Sequence, residues 1–250
     1  MKIYLLSIKE LREEAEAGNR ADAQALCEKC LRKMDVHRRE KVYKLKAENA
    51  RYLAIGAGVL LQLAWADCVD EQIGKMQDDK PQEKKTQERK TPKMVVLNLS
   101  DLLQRLTSER FPMEIPYQYG GQGKPDFAEG DFHFNLSHSG DYVCCAVDKK
   151  QIGIDIQKMR PLRNLKVAER FVTIREQEAL KVCPEKQALE RLFYDIWVKK
   201  EAYAKLTGEG IGTGVAVDTT ENAIWQGQIA LWQQIQAPEG YCMGVCSFEK

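Results

Sequence analysis

The sequence predicts a mixed α+β chain, and three patterns carry that prediction. Apolar residues recur at helical spacing through much of the first 67 residues, a period-two alternation of apolar and polar residues sets in at Phe132, and a long helical stretch from about Glu185 runs up to Gly208. With 250 residues, 44% of them hydrophobic, the chain is long enough for one large domain or two smaller ones, each with its own core.

Taken in order, Met1 to Ile8 reads as a short apolar strand, followed by helical stretches over roughly Glu10 to Lys33 and Val36 to Asp67. Lys75 to Lys93 has 11 charged residues of 19, two prolines and only Met76 apolar, the composition of a solvated linker or insertion. Phe132, Phe134 and Leu136 then alternate with His133, Asn135 and Ser137, and Ser139-Gly140-Asp141 separates this strand from the apolar run Tyr142 to Val147, a hairpin signature. Gln151 to Gln157 alternates as a third strand. Helical stretches near Leu165 to Phe171 and Ile174 to Val182 precede the long helix of Glu185 to Leu206, which Gly208 closes. The glycine-rich stretch Gly208 to Gly214 follows a helix instead of opening one and lacks the Lys-Ser/Thr end of a phosphate loop, so it reads as a helix stop and turn. Gly214 to Phe248 alternates enough for two or three more strands.

Charge and composition narrow the function classes. Lys plus Arg number 38 against 37 for Asp plus Glu, so no global basic field favours nucleic acid, and any anion site must be local. The most apolar stretch, around Ala54 to Ala66, is interrupted by Gly56, Gly58 and Gln62, which argues against a membrane span. The first residues become charged too early for a secretory signal. Eight scattered cysteines, two of them adjacent in the apolar run at Cys144 and Cys145, do not resemble a disulfide framework, and the expected compartment is the cytoplasm. Cys27 and Cys30 form one CxxC with no second pair to complete a zinc tetrahedron. Trp197, Trp225 and Trp232 read as core residues.

Two places break the expected pattern. On Ile152-Gly153-Ile154-Asp155-Ile156-Gln157 the isoleucines share one face, so Asp155 and Gln157 project side by side from the other. On the long helix the stripe of Leu189, Leu192, Phe193, Ile196 and Trp197 continues into Lys200 or Glu201 and then Ala204 or Lys205; Trp197, Glu201 and Lys205 follow one another at intervals of four. Partly buried carboxylates are costly unless paired or bound to a cation, and hard oxygens suit Mg²⁺. An internal Glu201–Lys205 pair, with Asp155 capping a turn, satisfies the same spacing.

Three blocks, FNLSHSGDYVCCAV (Phe134 to Val147), IGIDIQKMRP (Ile152 to Pro161) and FYDIWVKKEAYAKLTGEGI (Phe193 to Ile211), resemble the 4'-phosphopantetheinyl transferase superfamily, in its larger, surfactin-synthetase-activating (Sfp) type. The likeness runs from about Tyr117 to Gly210 and more weakly back to Asp35. It implies a pseudo-two-fold pair of similar α+β halves, 1–149 with the charged segment 75–93, and 150–250, joined near Lys149 to Gln151. It also implies coenzyme A and Mg²⁺ as co-substrate and metal, an apo acyl or peptidyl carrier protein as partner, and a monomer.

Position by position, Asp155 and Glu201 resemble the magnesium-binding acids, and Gln157 stands where that branch usually has a third acid. Lys205 resembles the lysine that reaches the coenzyme's phosphates, and Ser137 and His138 the pair at its adenosine-phosphate end. Lys124, in Gly123-Lys124-Pro125, matches a turn that helps hold the nucleotide, and Arg38, Lys41 and Arg51 resemble basic residues around the 3'-phosphate. The implied reaction moves the 4'-phosphopantetheine group onto a carrier serine and releases adenosine 3',5'-bisphosphate, with Glu201 as candidate base and Lys205 stabilising the leaving group. Two other classes compete: a non-catalytic coenzyme A or carrier-protein binding module, and a metal-dependent pyrophosphate hydrolase. A serine hydrolase does not fit, because Ser137 and His138 are strand neighbours that point to opposite faces.

Overall fold

A computed structural model describes residues 1–77, 92–120, 123–162 and 169–249. The chain forms two units: Met1–Pro116, Phe127–Phe132 and Asp141–Val147 in the first, and Tyr117–Asp126, His133–Gly140 and Asp148–Lys250 in the second. Both mix helices with strands, as the α+β reading expects.

In the first unit β1 (Lys2–Ser7) pairs parallel with β2 (Lys93–Leu97) and antiparallel with β6 (Tyr142–Asp148). The first expected helix is two, α1 (Lys9–Glu16) and α2 (Arg20–Arg32), because Gly18 adopts φ +84° and turns the chain between them. The second is also two, α3 (Val36–Lys44), capped by the Asp35 carboxylate on the Arg38 N–H, and α4 (Glu48–Gln77), which outruns the expected end at Asp67. Strand β2 and α5 (Leu99–Arg105) were not foreseen. Of the charged segment expected over Lys75 to Lys93, residues 78–91 lie outside the described residues.

The interruptions read in Ala54 to Ala66 are packing devices inside one continuous helix. A Cβ on Gly56 would lie 2.7 Å from Ile8 Cγ2, so that glycine lets α4 meet Ile8 and Val143 closely. Gln62, with no exposure, accepts from the Met113 N–H at 2.8 Å and donates to its carbonyl at 2.9 Å. Glu48–Gly74 is therefore long and apolar enough to cross a membrane by length and composition, but 83% of its most apolar window is buried inside the fold. All eight cysteines carry free thiols.

The second unit holds an antiparallel sheet in the order β7 (Ile152–Lys158), β10 (Tyr241–Phe248), β9 (Gln228–Gln234), β8 (Ala223–Trp225). A short ribbon, β3 (Tyr117–Tyr119) and β4 (Pro125–Phe127), precedes β5 (His133–Ser139). Of the helical stretch expected over Leu165 to Phe171, residues 163–168 lie outside the described residues and Glu169–Phe171 is a 3-10 turn. Helix α6 (Ile174–Lys181) opens with a capping box of Thr173 and Glu176, and α7 (Lys186–Thr207) ends at Gly208, φ +74°. Instead of a plain turn, the glycine-rich stretch forms a short helix, α8 (Ile211–Ala216).

Strand β7 is fixed on two sides. One edge pairs with β10, Asp155 opposite Gly244. Along its other edge, side chains of β5 accept its backbone donors in series: Asn135 Oδ1 from the Ile154 N–H at 2.9 Å, Ser137 Oγ from the Ile156 N–H at 3.4 Å and Ser139 Oγ from the Lys158 N–H at 3.0 Å. The polar half of the β5 alternation thus satisfies strand donors that burial would otherwise leave unpaired. Against the face of β7 that carries Asp155, α7 approaches so closely that a Cβ on Gly153 would lie 1.9 Å from the Ala202 carbonyl oxygen.

Candidate active site

Within the second unit a cleft of about 360 Å³ is lined by Leu136, Ser137, His138, Asp155, Ile156, Gln157, Trp197, Glu201 and Lys205. Strands β5 and β7 supply the first six, and α7 supplies the last three at successive turns of one face. Six of the candidate site residues read from the sequence, Ser137, His138, Asp155, Gln157, Glu201 and Lys205, therefore meet in one place.

Their connections are specific. Asp155, 5% exposed, accepts on Oδ1 from the Lys205 ammonium at 2.6 Å and from the Ser137 hydroxyl at 2.6 Å. Lys205 Nζ also donates to Ser137 Oγ at 2.8 Å and to the Ile154 carbonyl at 3.2 Å. The spacing allowed an internal Glu201–Lys205 pair along the helix with Asp155 capping a turn; the ion pair found is instead Asp155–Lys205, across elements. Such charge-assisted bonds are the strong ones and hold all three side chains in register.

Glu201 differs: it is half-buried and makes no hydrogen bond or ion pair among the described residues. Burial pushes its carboxyl above the usual carboxylate range, the Asp155 charge adds to that rise and Lys205 opposes it. His138 moves the other way, its imidazole held below the usual range by desolvation and then by the Lys205 charge. Gln157 turns its amide N–H onto the Lys158 carbonyl at 3.3 Å.

Two carboxylates facing one cleft, one with a second oxygen unspent and one with both, are a hard donor set that a small divalent cation fits. Gln157 adds an amide oxygen without charge. Among the described residues no group of three His, Cys, Asp or Glu that could hold a metal exists, so the donor set this cleft offers is two acids and an amide.

The remaining candidates lie elsewhere. Lys124 is not among the cleft-lining residues; its ammonium donates to the Ile152 carbonyl at 3.4 Å and the Leu206 carbonyl at 3.3 Å, tying the start of β7 to the end of α7, and burial lowers its pKa. Arg38, Lys41 and Arg51 belong to the first unit, the first two on α3 and the third on α4. Burial lowers the Lys41 pKa and the neighbouring Arg38 charge lowers it further. Trp225 and Trp232 pack against the core of the second unit as expected, but Trp197 lines the cleft, its ring edge-on to Phe171 at 5.4 Å.

Sequence reasoning missed one feature beside this site. Lys200 and Glu176, both wholly buried, form an ion pair at 2.9 Å. The signal was present, since Lys200 interrupts the apolar stripe of α7, but its partner lies on another helix.

The residues of this cleft fall inside or just ahead of a segment with known relatives. Residues 151–246 match the 4'-phosphopantetheinyl transferase superfamily. Over 119 residues, 46% of this chain and 50% of the relative, the chain is 42% identical to 4'-phosphopantetheinyl transferase psf-1 of Bacillus pumilus. It is 38% identical over 143 residues to 4'-phosphopantetheinyl transferase HetI of Nostoc sp., covering 53% of this chain and 60% of the relative. To 4'-phosphopantetheinyl transferase Sfp of Bacillus subtilis it is 33% identical over 141 residues, covering 52% of this chain and 60% of the relative. The matches thus span about half to three-fifths of these relatives' lengths. Asp155, Gln157, Trp197, Lys200, Glu201 and Lys205 all lie within the superfamily match, whereas Arg38, Lys41, Arg51, Lys124, Ser137 and His138 lie outside it.

Proposed function

We propose that this chain transfers the 4'-phosphopantetheine group of coenzyme A to a serine of an apo acyl or peptidyl carrier protein and releases adenosine 3',5'-bisphosphate. The observation that carries this reading is the convergence of Asp155, Lys205 and Glu201 on one cleft inside the segment that matches the superfamily. Mg²⁺, held by Asp155 and Glu201 with Gln157 alongside, would neutralise charge on the coenzyme's pyrophosphate when bound.

The chain's own residues then divide the work. The carrier serine oxygen attacks the phosphorus next to pantetheine, and the bond from that phosphorus to the bridging oxygen breaks. Glu201, whose carboxylate is made more basic by burial, takes the serine proton directly or through water. Lys205 places a positive charge on the cleft wall where negative charge grows on the departing bisphosphate. Ser137 and Asp155 fix where that ammonium sits. Ser137 and His138 would form the wall toward the adenosine phosphate, and the family resemblance assigns Lys124, Arg38, Lys41 and Arg51 to the coenzyme's nucleotide end.

The same reading places the chain in the cytoplasm as a monomer built from two similar halves, 1–149 and 150–250, with no nucleic-acid or membrane partner. The test is incubation with coenzyme A, Mg²⁺ and a panel of apo carrier proteins, read by intact mass. A phosphopantetheine adduct on the carrier serine that disappears with chelator supports the reading. Coenzyme A binding without an adduct on any carrier supports a binding module instead, and cleavage of coenzyme A without a carrier supports a hydrolase.

A further inference from the structure

We propose that the buried Lys200–Glu176 pair is a positioning device for Glu201, setting the rotation of α7 about its axis and hence the direction of the acid in the cleft. This rests on the proposed role of Glu201. Both members of the pair have no exposure. The Lys200 ammonium meets Glu176 Oε2 at 2.9 Å, the Val215 carbonyl at 3.1 Å and the Val217 carbonyl, so its three donors have three directional acceptors. Glu176 is satisfied in turn, accepting from the Thr219 N–H at 2.8 Å and hydroxyl at 2.7 Å on one oxygen and from the Thr173 N–H at 2.7 Å on the other.

Stability alone is a weak reason for such a pair, because desolvating two charges costs about what their attraction returns, and apolar replacements of like volume are often neutral or better. Direction is what an apolar contact lacks. Lys200 precedes Glu201, so the two side chains leave the helix about 100° apart; an ammonium pinned by three acceptors therefore fixes where the next residue points. The opposite side of α7 is fixed too, by the close approach of Gly153 on β7 to the Ala202 carbonyl. Glu201 lies between these two restraints in sequence. A third contact acts at the same point: a Cβ on Gly214 would lie 2.4 Å from the Lys200 carbonyl oxygen, so α8 also abuts α7 there.

The test is the neutral double variant Glu176→Gln with Lys200→Met, measured for thermal unfolding, coenzyme A binding and carrier modification under saturating and limiting coenzyme A. With Mg²⁺ saturating for wild type and variant alike, the expected result is a folded protein with coenzyme A KM within about twofold of wild type and kcat lowered at least about tenfold, the split that a misdirected acid produces and a loosened substrate site does not. Unchanged kcat in the folded double variant overturns the proposal. If the double variant does not fold, Thr219→Val decides: it removes one hydroxyl from Glu176, and kcat should fall about threefold with KM unmoved, whereas wild-type kcat refutes the positioning role. A wild-type protein that modifies no carrier sinks the transferase reading itself, which is a different outcome from an active wild type matched by its variants.

Discussion

The substitution Gly153→Ala tests the contact on which the Asp155–Glu201 geometry depends. Ordinary van der Waals contact begins near 3.4 Å, and the added methyl would lie 1.9 Å from the Ala202 carbonyl oxygen and 2.6 Å from the Leu206 nitrogen, so about 1.5 Å of space must be made between two backbones. Neither neighbour is a side chain that can rotate away. Overpacking in cores costs about 1–3 kcal/mol where side chains can adjust; here β7 is held by β10 on one edge and by Asn135, Ser137 and Ser139 on the other, so a loss of about 3 kcal/mol or more is expected. Gly212→Ala is the matched control, since nothing lies within 4 Å of its Cβ and it sits in α8, where alanine should gain about 0.5–1 kcal/mol. Urea unfolding of both variants reads the difference directly. A Gly153→Ala protein within about 0.5 kcal/mol of wild type would refute the close-packing argument and, with it, the claim that this contact sets the site.

Three further outcomes follow from the cleft. Asp155→Ala should cut transfer by about a hundredfold or more, because it removes a proposed metal ligand and frees Lys205 and Ser137 from their shared acceptor; initial rates across a magnesium titration check it. Gln157→Glu should tighten Mn²⁺ binding by about tenfold through an added charge at the cleft, and an unchanged spin-resonance titration would place that side chain away from the metal. The raised Glu201 pKa means the folded chain holds that proton more tightly than the unfolded chain, a contribution present below the ordinary carboxylate pKa and lost as pH rises through the raised value; Glu201→Gln should therefore gain Tm over wild type in metal-free buffer at neutral pH, with the gain closing on acidification.

Much of this cleft was legible because its residues lie on regular elements. The period of two placed Asp155 and Gln157 together, and the period of 3.6 placed Trp197, Glu201 and Lys205 on one line of α7. Relations between elements were not legible. Spacing suggested a Glu201–Lys205 pair along the helix, whereas Lys205 crosses to Asp155, a choice set by how close Gly153 lets β7 come. The alternation of β5 was visible, but nothing in it said that Asn135, Ser137 and Ser139 would serve the N–H groups of another strand. Gly18 was read through as helix, since a lone glycine between two helical patterns carries the same signal as a tolerated interior one.

The charges of the cleft also bear on which acid the proposed mechanism can use as base. Asp155 and Glu201 both face it, with Lys205 between them in role. Asp155 has a cation and a hydroxyl on one oxygen at 2.6 Å each, so its charge is already engaged in holding Lys205 and Ser137. Without a cation Glu201 gives up no hydrogen bond or ion pair among the described residues when it takes a proton, and uptake relieves both its burial and its repulsion from Asp155; with the proposed cation held there, it would act through water. A base must accept a proton without dismantling the site that delivers it. By that criterion the proposed mechanism keeps Asp155 as the anchor that holds Lys205 in place and gives the proton to Glu201, which we propose is aimed by the buried Lys200–Glu176 pair.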